Sequence, residues 1–407
     1  MLKVRSVVLG SVAALALVAV AAGPASAAGM TASGSIGQAY VLGASEGQSL
    51  TLINARGRTV GKGKADRFGS FIFLNVAAGS GYKVRGASTT RPFKVLSTKS
   101  NPPAAFFRGI KLKQGLNYVK VRDGVEIAMT VRLPAGKKLS DGPFPTIIEY
   151  SGYQTAAPND LLSSLGKNDP LAPASSTAVG ALIAPLLDFA VVSVQMRGSG
   201  CSGGAFDLFG LPTTFDGYDA VETVGSQSWV KGGKVGMGGI SFSGITQLFT
   251  AGTRPPHLAA IAPMSVTDDT YTATGYPGGI NNSGFALSWV KERMSDAAPA
   301  PEGGQPWAKA LVAAGDKNCI ANQKLRLQTR DAVKVIDANP FRTPGEFDQR
   351  SPAAWMGKIK VPTFLIGQFQ DEQTGGHFAQ SLGLLAKNPN VWITLQNGVH
   401  ADSLGPS

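Results

Sequence analysis

Ser241 stands in the segment Lys234-Val235-Gly236-Met237-Gly238-Gly239-Ile240-Ser241-Phe242-Ser243-Gly244-Ile245-Thr246. An apolar, glycine-rich stretch ends at this serine and a helical pattern follows it. A strand that turns sharply into a helix presents the hydroxyl at its tip, and small neighbours keep the backbone from clashing, so the segment is a candidate nucleophile elbow. The common form is G-x-S-x-G. Here Ser243, still small, stands two residues after Ser241, and Gly244 comes next. Ser243 is the competing nucleophile, but the residue two beyond it is the branched Ile245, which fits a tight turn badly. A serine among glycines is structural more often than catalytic, so its partners must decide.

A serine hydroxyl needs a base, and the base needs a third group to orient it. The chain has three histidines, His257, His377 and His400. In the α/β-hydrolase order the acid and then the histidine follow the nucleophile, each after a later strand. Asp371 lies just past the strand expected at Thr363–Ile366, and His400 just past that at Val391–Leu395. His257 precedes a strand and so falls at the far end of the sheet. His377 is an alternative base, and Glu372, beside Asp371, an alternative acid. A tetrahedral intermediate also needs hydrogen-bond donors. The backbone N–H of Phe242 is one, and the loop Ser151-Gly152-Tyr153, after the strand expected at Thr146–Tyr150, is placed to supply a second.

These residues need a scaffold that brings distant loops to one edge. From Ile127–Leu133 through Thr146–Tyr150, Phe189–Val194, Lys234–Met237, Leu258–Ala262, Thr363–Ile366 and Val391–Leu395, apolar strand candidates alternate with longer segments of helical character. That rhythm predicts a mostly parallel sheet covered on both faces. Residues 270–347 break it and predict an inserted helical cap. Upstream, Ala39–Val41, Ser49–Asn54, Thr59–Lys62, Phe71–Val76 and Tyr82–Arg85 read as strands of a small β module, punctuated by turns such as Arg56-Gly57-Arg58. The fold class expected is α/β: an α/β-hydrolase sheet with a helical cap, preceded by a small β-sandwich-like domain. The division expected is a signal peptide at 1–27, the β domain and its linker at 28–103, and the hydrolase domain at 104–407.

Residues 1–27 run from a basic head, Lys3 and Arg5, through an apolar core to Ala25-Ser26-Ala27, the pattern of a secretory signal cleaved after Ala27. The reading is therefore of an exported protein, secreted or in the cell envelope, without stable membrane insertion once the signal is removed. The formal charge of +12 falls to +10 when Lys3 and Arg5 leave, and no basic run is interleaved with aromatics, so nucleic acid is not an expected partner. Two cysteines, Cys201 and Cys319, in an exported chain predict one disulfide. Their spacing is not that of a metal pair, and the reading calls for no metal and no cofactor.

Five ordered segments then carry a resemblance. They are Val121-Arg122-Asp123-Gly124-Val125, Pro145 through Tyr153, Met196-Arg197-Gly198-Ser199-Gly200-Cys201-Ser202-Gly203-Gly204, Asp216-Gly217-Tyr218-Asp219, and Trp229 through Gly244. Together they resemble the cocaine esterase and X-Pro dipeptidyl-peptidase family, from about Lys111 to His400. The β module more loosely resembles the transthyretin-like modules attached to secreted enzymes. The family resemblance implies Ser241 as nucleophile within G-x-S-[YF]-x-G, Tyr153 as a hydroxyl donor to the oxyanion, Asp371 as the acid of Gly367-Gln368-Phe369-Gln370-Asp371, and His400 as the base. It also implies a C-terminal jelly-roll domain, whereas the sequence in hand continues seven residues past His400. The expected function is cleavage of small ester, amide or peptide substrates through an acyl-enzyme. The alternatives are an X-Pro dipeptidyl-peptidase, for which Asp268 and Asp269 are candidate ligands of the substrate ammonium, and a catalytically silent cell-envelope binding protein on the same fold. The competing reading of Asp268 and Asp269 is a solvated loop or a helix cap.

Overall fold

The β-rich and glycine-punctuated stretch from Thr31 to Val95 folds into two antiparallel sheets. In the computed structural model, which describes residues 29–405 apart from 161–163, 165, 175–177, 179 and 182–183, one sheet has the order β1 (Thr31–Ser35), β2 (Gln38–Leu42), β5 (Phe71–Phe73). The other has the order β4 (Thr59–Lys64), β3 (Ser49–Ile53), β6 (Gly79–Arg85), β7 (Phe93–Val95). The signal expected over 1–27 lies outside the described residues. Alternate side chains point inward, as the two-residue period of a strand requires. Val41 and Phe73 of one sheet meet Leu50, Leu52, Val84 and Val95 of the other in one apolar core. The turns are closed by side chains: Asn54 accepts from the amides of Arg56 and Arg58, and Asp66 from those of Phe68 and Ser70. Residues 97–103 then run without helix or strand.

The remaining strands form a single sheet of eight, in the order β15-β14-β13-β12-β10-β11-β9-β8. Their spans are β8 Gly115–Lys120, β9 Glu126–Arg132, β10 Phe144–Ser151, β11 Ala190–Gln195, β12 Val230–Ile240, β13 Leu258–Met264, β14 Thr363–Gln368 and β15 Val391–Gln396. Strands β10 to β15 run parallel, whereas β8 and β9 pair antiparallel at one edge. All six residues of β11 are buried, so both faces are covered there. Helices α1 (Leu211–Gly225) and α2 (Phe242–Thr253) flank β12 in sequence and are buried along almost their whole length. Parallel order brings the loops after β10, β12, β13, β14 and β15 to one end of the sheet, and every candidate catalytic side chain lies in one of those loops.

Between β13 and β14 there is no strand; the chain forms α3 (Phe285–Asp296), α4 (Pro306–Ala313), α5 (Lys317–Ala321), α6 (Ala332–Asp337) and α7 (Pro344–Phe347), with short 3-10 turns between them. This is the inserted helical cap of an α/β-hydrolase fold. Three of the motif segments supply structure beneath it. Arg197 bridges Asp123 and Asp216, and Arg122 pairs with Asp219, all with buried side chains. Burial pushes the Asp123 carboxyl up, but the Arg197 guanidinium outweighs it and holds the group below the ordinary carboxylate range. The β-sandwich is tied to this body. Ile36 and Tyr40 belong to the core of the large sheet, the Tyr40 hydroxyl donates to the Asp123 carbonyl at 2.7 Å, and Gln328 of the cap donates to Asp66 at 2.7 Å.

Candidate active site

Strand β12 ends at Ile240 and helix α2 starts at Phe242, leaving Ser241 as the single residue that turns the chain, with φ 61° and ψ −123°. The Ser241 amide donates to the Met264 carbonyl of β13 at 2.9 Å, and the Ser241 carbonyl accepts from the Ile245 amide at 2.8 Å. Two glycines make room. Gly239 sits at φ 146°, and a Cβ there would collide with Ser243; a Cβ on Gly244 would lie 2.6 Å from the Met264 carbonyl oxygen. The two serines fare differently. Ser243 is 0% exposed and its hydroxyl donates to the Ile240 carbonyl at 3.0 Å, whereas Ser241 lines a pocket.

His400 follows β15 and Asp371 follows β14, and the two meet: Nδ1 of His400 lies 2.8 and 2.9 Å from the two Asp371 oxygens. The carboxylate also accepts from the Thr374 hydroxyl at 2.6 Å and from the amides of Gln373 and Thr374. Burial pushes Asp371 up, but the hydrogen bonds from His400 and Thr374 prevail and keep it below its usual range. A carboxylate on Nδ1 selects the tautomer whose proton is on that nitrogen and leaves the Nε2 lone pair free. Among the described residues Nε2 is buried without a hydrogen-bond partner. Glu372 does not touch the ring; it accepts from the His400 amide at 3.0 Å. The Ser265 hydroxyl donates to the His400 carbonyl at 2.7 Å, one residue beyond the Met264 carbonyl that holds Ser241. His257 instead pairs with Glu222 at 2.9 Å at the start of β13, and His377 stands 3.4 Å from Asp268.

The loop after β10 carries Tyr153 to the elbow, where its hydroxyl lies 3.3 Å from Ser241 Oγ. Gln305 fastens this loop by donating to the Gly152 carbonyl at 2.8 Å, and is itself held by the Trp307 indole. The Tyr153 ring packs edge-on against Phe242 with centroids 5.5 Å apart. Phe242 is the first residue of α2, where backbone N–H groups have no partner inside the helix. Two residues that the sequence reading did not assign to the site come from α3: the Trp289 indole donates to the Tyr153 hydroxyl at 3.1 Å, and the Arg293 guanidinium stacks 4.9 Å from the Tyr153 ring centre. Their i, i+4 spacing was the one available signal, because it sets both on one face of a helix.

Ser241 opens into a pocket lined by Phe242, Ile245, Trp289, Val335 and Phe347 among others. Four charged side chains also reach its lining, and they neutralise one another. Arg350 pairs with Asp207 at 2.6 Å and with Glu346 at 2.9 Å, and Arg330 pairs with Glu346 at 2.8 Å. Asp268 and Asp269 do not line the pocket, although their neighbours Thr267 and Thr270 do. Asp269 accepts from the amides of Tyr271 and Thr272 and pairs with Arg342, and those donors hold it low against the effect of burial. Burial pushes Asp268 up, against the pull of His377. Cys201, in the loop after β11, is joined to Cys319 of α5 by a disulfide. Among the described residues no cluster of side chains could hold a metal ion.

Comparison with known proteins shows the family. The model of the X-Pro dipeptidyl-peptidase (S15) family matches residues 123–402. A putative serine esterase of Mycobacterium bovis is 30% identical over 210 residues, which are 50% of this chain and 32% of that protein. Cocaine esterase of Rhodococcus sp. is 32% identical over 175 residues, 42% of this chain and 27% of the relative. The matched stretch thus spans about a third or less of these relatives. Among solved structures, a CocE/NonD family hydrolase from Staphylococcus aureus aligns over 71% of this chain and 47% of its own, with a TM-score of 0.52 and 20% identity, a likeness of fold. The chain therefore belongs to the X-Pro dipeptidyl-peptidase (S15) family and is built on the α/β-hydrolase fold.

Proposed function

We propose that the protein is an exported serine hydrolase that cleaves esters of apolar acyl groups through an acyl-enzyme. The observation that carries this reading is Ser241 Oγ, set on a strained turn at an apolar pocket and 3.3 Å from the Tyr153 hydroxyl. In the reaction, Ser241 Oγ attacks the carbonyl carbon as its proton passes to His400 Nε2. The resulting oxyanion is held by the Tyr153 hydroxyl and the Phe242 N–H. Collapse breaks the ester bond, and the leaving alcohol takes the proton from His400. Water, deprotonated by the same nitrogen, then attacks the acyl-enzyme and releases the carboxylic acid and free Ser241. Asp371 orients the imidazole and stabilises its charged form throughout.

Esters are preferred over X-Pro dipeptides because recognition of a substrate ammonium needs an available carboxylate. Among the described residues, those lining the pocket are already paired with arginines, and Asp269 serves a helix start and Arg342. Export is supported by the basic-apolar-small order of residues 1–27 and by the disulfide. No helix among the described residues is long and apolar enough to cross a membrane.

The test is a panel of p-nitrophenyl esters beside Ala-Pro and Gly-Pro nitroanilides, with fluorophosphonate labelling of the mature chain. Ser241→Ala should abolish labelling and lower kcat by about 10⁶-fold, and Ser243→Ala should leave both. Faster cleavage of the nitroanilides would turn the assignment to a peptidase. An unlabelled, inactive wild type would mean a silent binding protein.

A further inference from the structure

We propose that Trp289 is a positioning residue of the reaction. Its indole N–H aims the proton of Tyr153 at the Ser241 side, so the cap helix α3 shares in building the oxyanion hole. The inference rests on the hydrolase reading above. Tryptophan Nε1 can donate a hydrogen bond and can never accept one. At 3.1 Å from the Tyr153 oxygen it must therefore be the donor, and the tyrosine proton cannot point back at it. The other side-chain partner of that oxygen among the described residues is Ser241 Oγ at 3.3 Å. With one lone pair held by the indole, the hydroxyl keeps its proton on the side where the substrate oxygen gains charge. A donor already oriented needs no reorganisation when that charge appears, which is how preorganised dipoles lower a barrier.

The surroundings fix the pair. Trp289 packs edge-on against Phe242 at 5.1 Å, and Phe242 packs against Tyr153. One turn along α3, Arg293 covers the Tyr153 ring at 4.9 Å and also lies 5.9 Å from the Trp289 ring. Its guanidinium is held by Glu292 and Asp296 on the same helix. A buried cation against the ring face favours the ring electrostatically and limits its tilt. The three side chains form one stack between the cap and the elbow. Trp289 also lines the pocket, so removing the whole side chain would confuse packing with positioning.

The decisive variant keeps the shape of Trp289 and deletes only the donor, by replacing the indole with the isosteric benzothiophene side chain; Trp289→Phe is the coded companion. With p-nitrophenyl butyrate, kcat should fall about three- to tenfold, the range of one net hydrogen bond, with KM unchanged. In a Tyr153→Phe background the same replacement should change kcat by less than about twofold, because there is no hydroxyl left to aim. Equal losses in both backgrounds, no loss in either, or a change confined to KM would each overturn the proposal. A silent Tyr153→Phe beside a dead Ser241→Ala would also overturn it while the hydrolase reading stands. An inactive, unlabelled wild type would overturn both.

Discussion

Asp371 accepts from His400, from the Thr374 hydroxyl and from two backbone amides, and these donors outweigh burial in setting its ionisation. A carboxyl depressed in the fold adds stability that is present above its unfolded value of about 3.9 and is lost as pH falls through the lower folded value. Between about pH 5 and pH 2, wild type should therefore lose Tm more steeply than Asp371→Asn, which cannot titrate; parallel curves would show that the site contributes nothing there. A second residue-scale expectation concerns Gly244. An alanine there would press on the Met264 carbonyl at 2.6 Å and on Val266 at 2.9 Å, and backbone cannot step aside as a flexible side chain can. Gly244→Ala should cost about 1–3 kcal/mol and lower kcat, because the elbow must leave β13. A variant with wild-type Tm and kcat would mean that the turn has slack. At this scale the candidate site was largely legible. Ser241, Asp371 and His400 announce themselves by type and chain order, whereas Trp289 and Arg293 meet the site only through the Tyr153 ring, which lies 136 and 140 residues earlier in the chain.

Among elements, the glycine-rich loop after β11 depends most on its neighbours. Cys201 is bonded to Cys319 of α5, Asn322 donates to the Cys201 carbonyl at 3.0 Å, and buried Arg326 donates to the carbonyls of Gly200 and Ser202 at 2.6 Å each. The bridge closes a sequence separation of 118 residues. In the chain-entropy model such a link adds on the order of 4–5 kcal/mol. Reduction, or Cys201→Ser with Cys319→Ser, should lower Tm by several degrees, on the order of 1–2 °C per kcal/mol for a chain of this length. Two free thiols titrated in denatured, unreduced protein would show that the bridge is not formed. The long parallel strands were legible because their apolar runs are continuous. Strands β1, β7 and β8 were not: Thr31–Ser35 is small and polar, Phe93–Val95 is three residues long, and Gly115–Lys120 has only a weak alternation. Their pairing comes from partners elsewhere in the chain, which no local pattern contains.

Over the whole molecule, the β-sandwich does not behave as a loose appendage. Ile36 and Tyr40 sit in the core of the large sheet, and Gln328 accepts from the Ile72 amide at 3.1 Å as well as donating to Asp66. Shared apolar surface couples unfolding, so heating should give one cooperative transition by both near-ultraviolet and far-ultraviolet dichroism. Two separate transitions would show that the units melt independently. The fold also carries the turn at Ser241 as a standing load. A non-glycine residue in that sparsely populated conformation costs about 1–3 kcal/mol, more than the roughly 0.5–1 kcal/mol of extra chain entropy that glycine gives up on folding. Ser241→Gly should therefore melt higher than wild type while losing all turnover, and a lower Tm would show the turn to be unstrained. A laboratory lineage selected by heat alone would drift toward that glycine. Thermal hardiness and hydrolysis then pull on the same codon in opposite directions, and a variant library for this protein has to be screened for both at once.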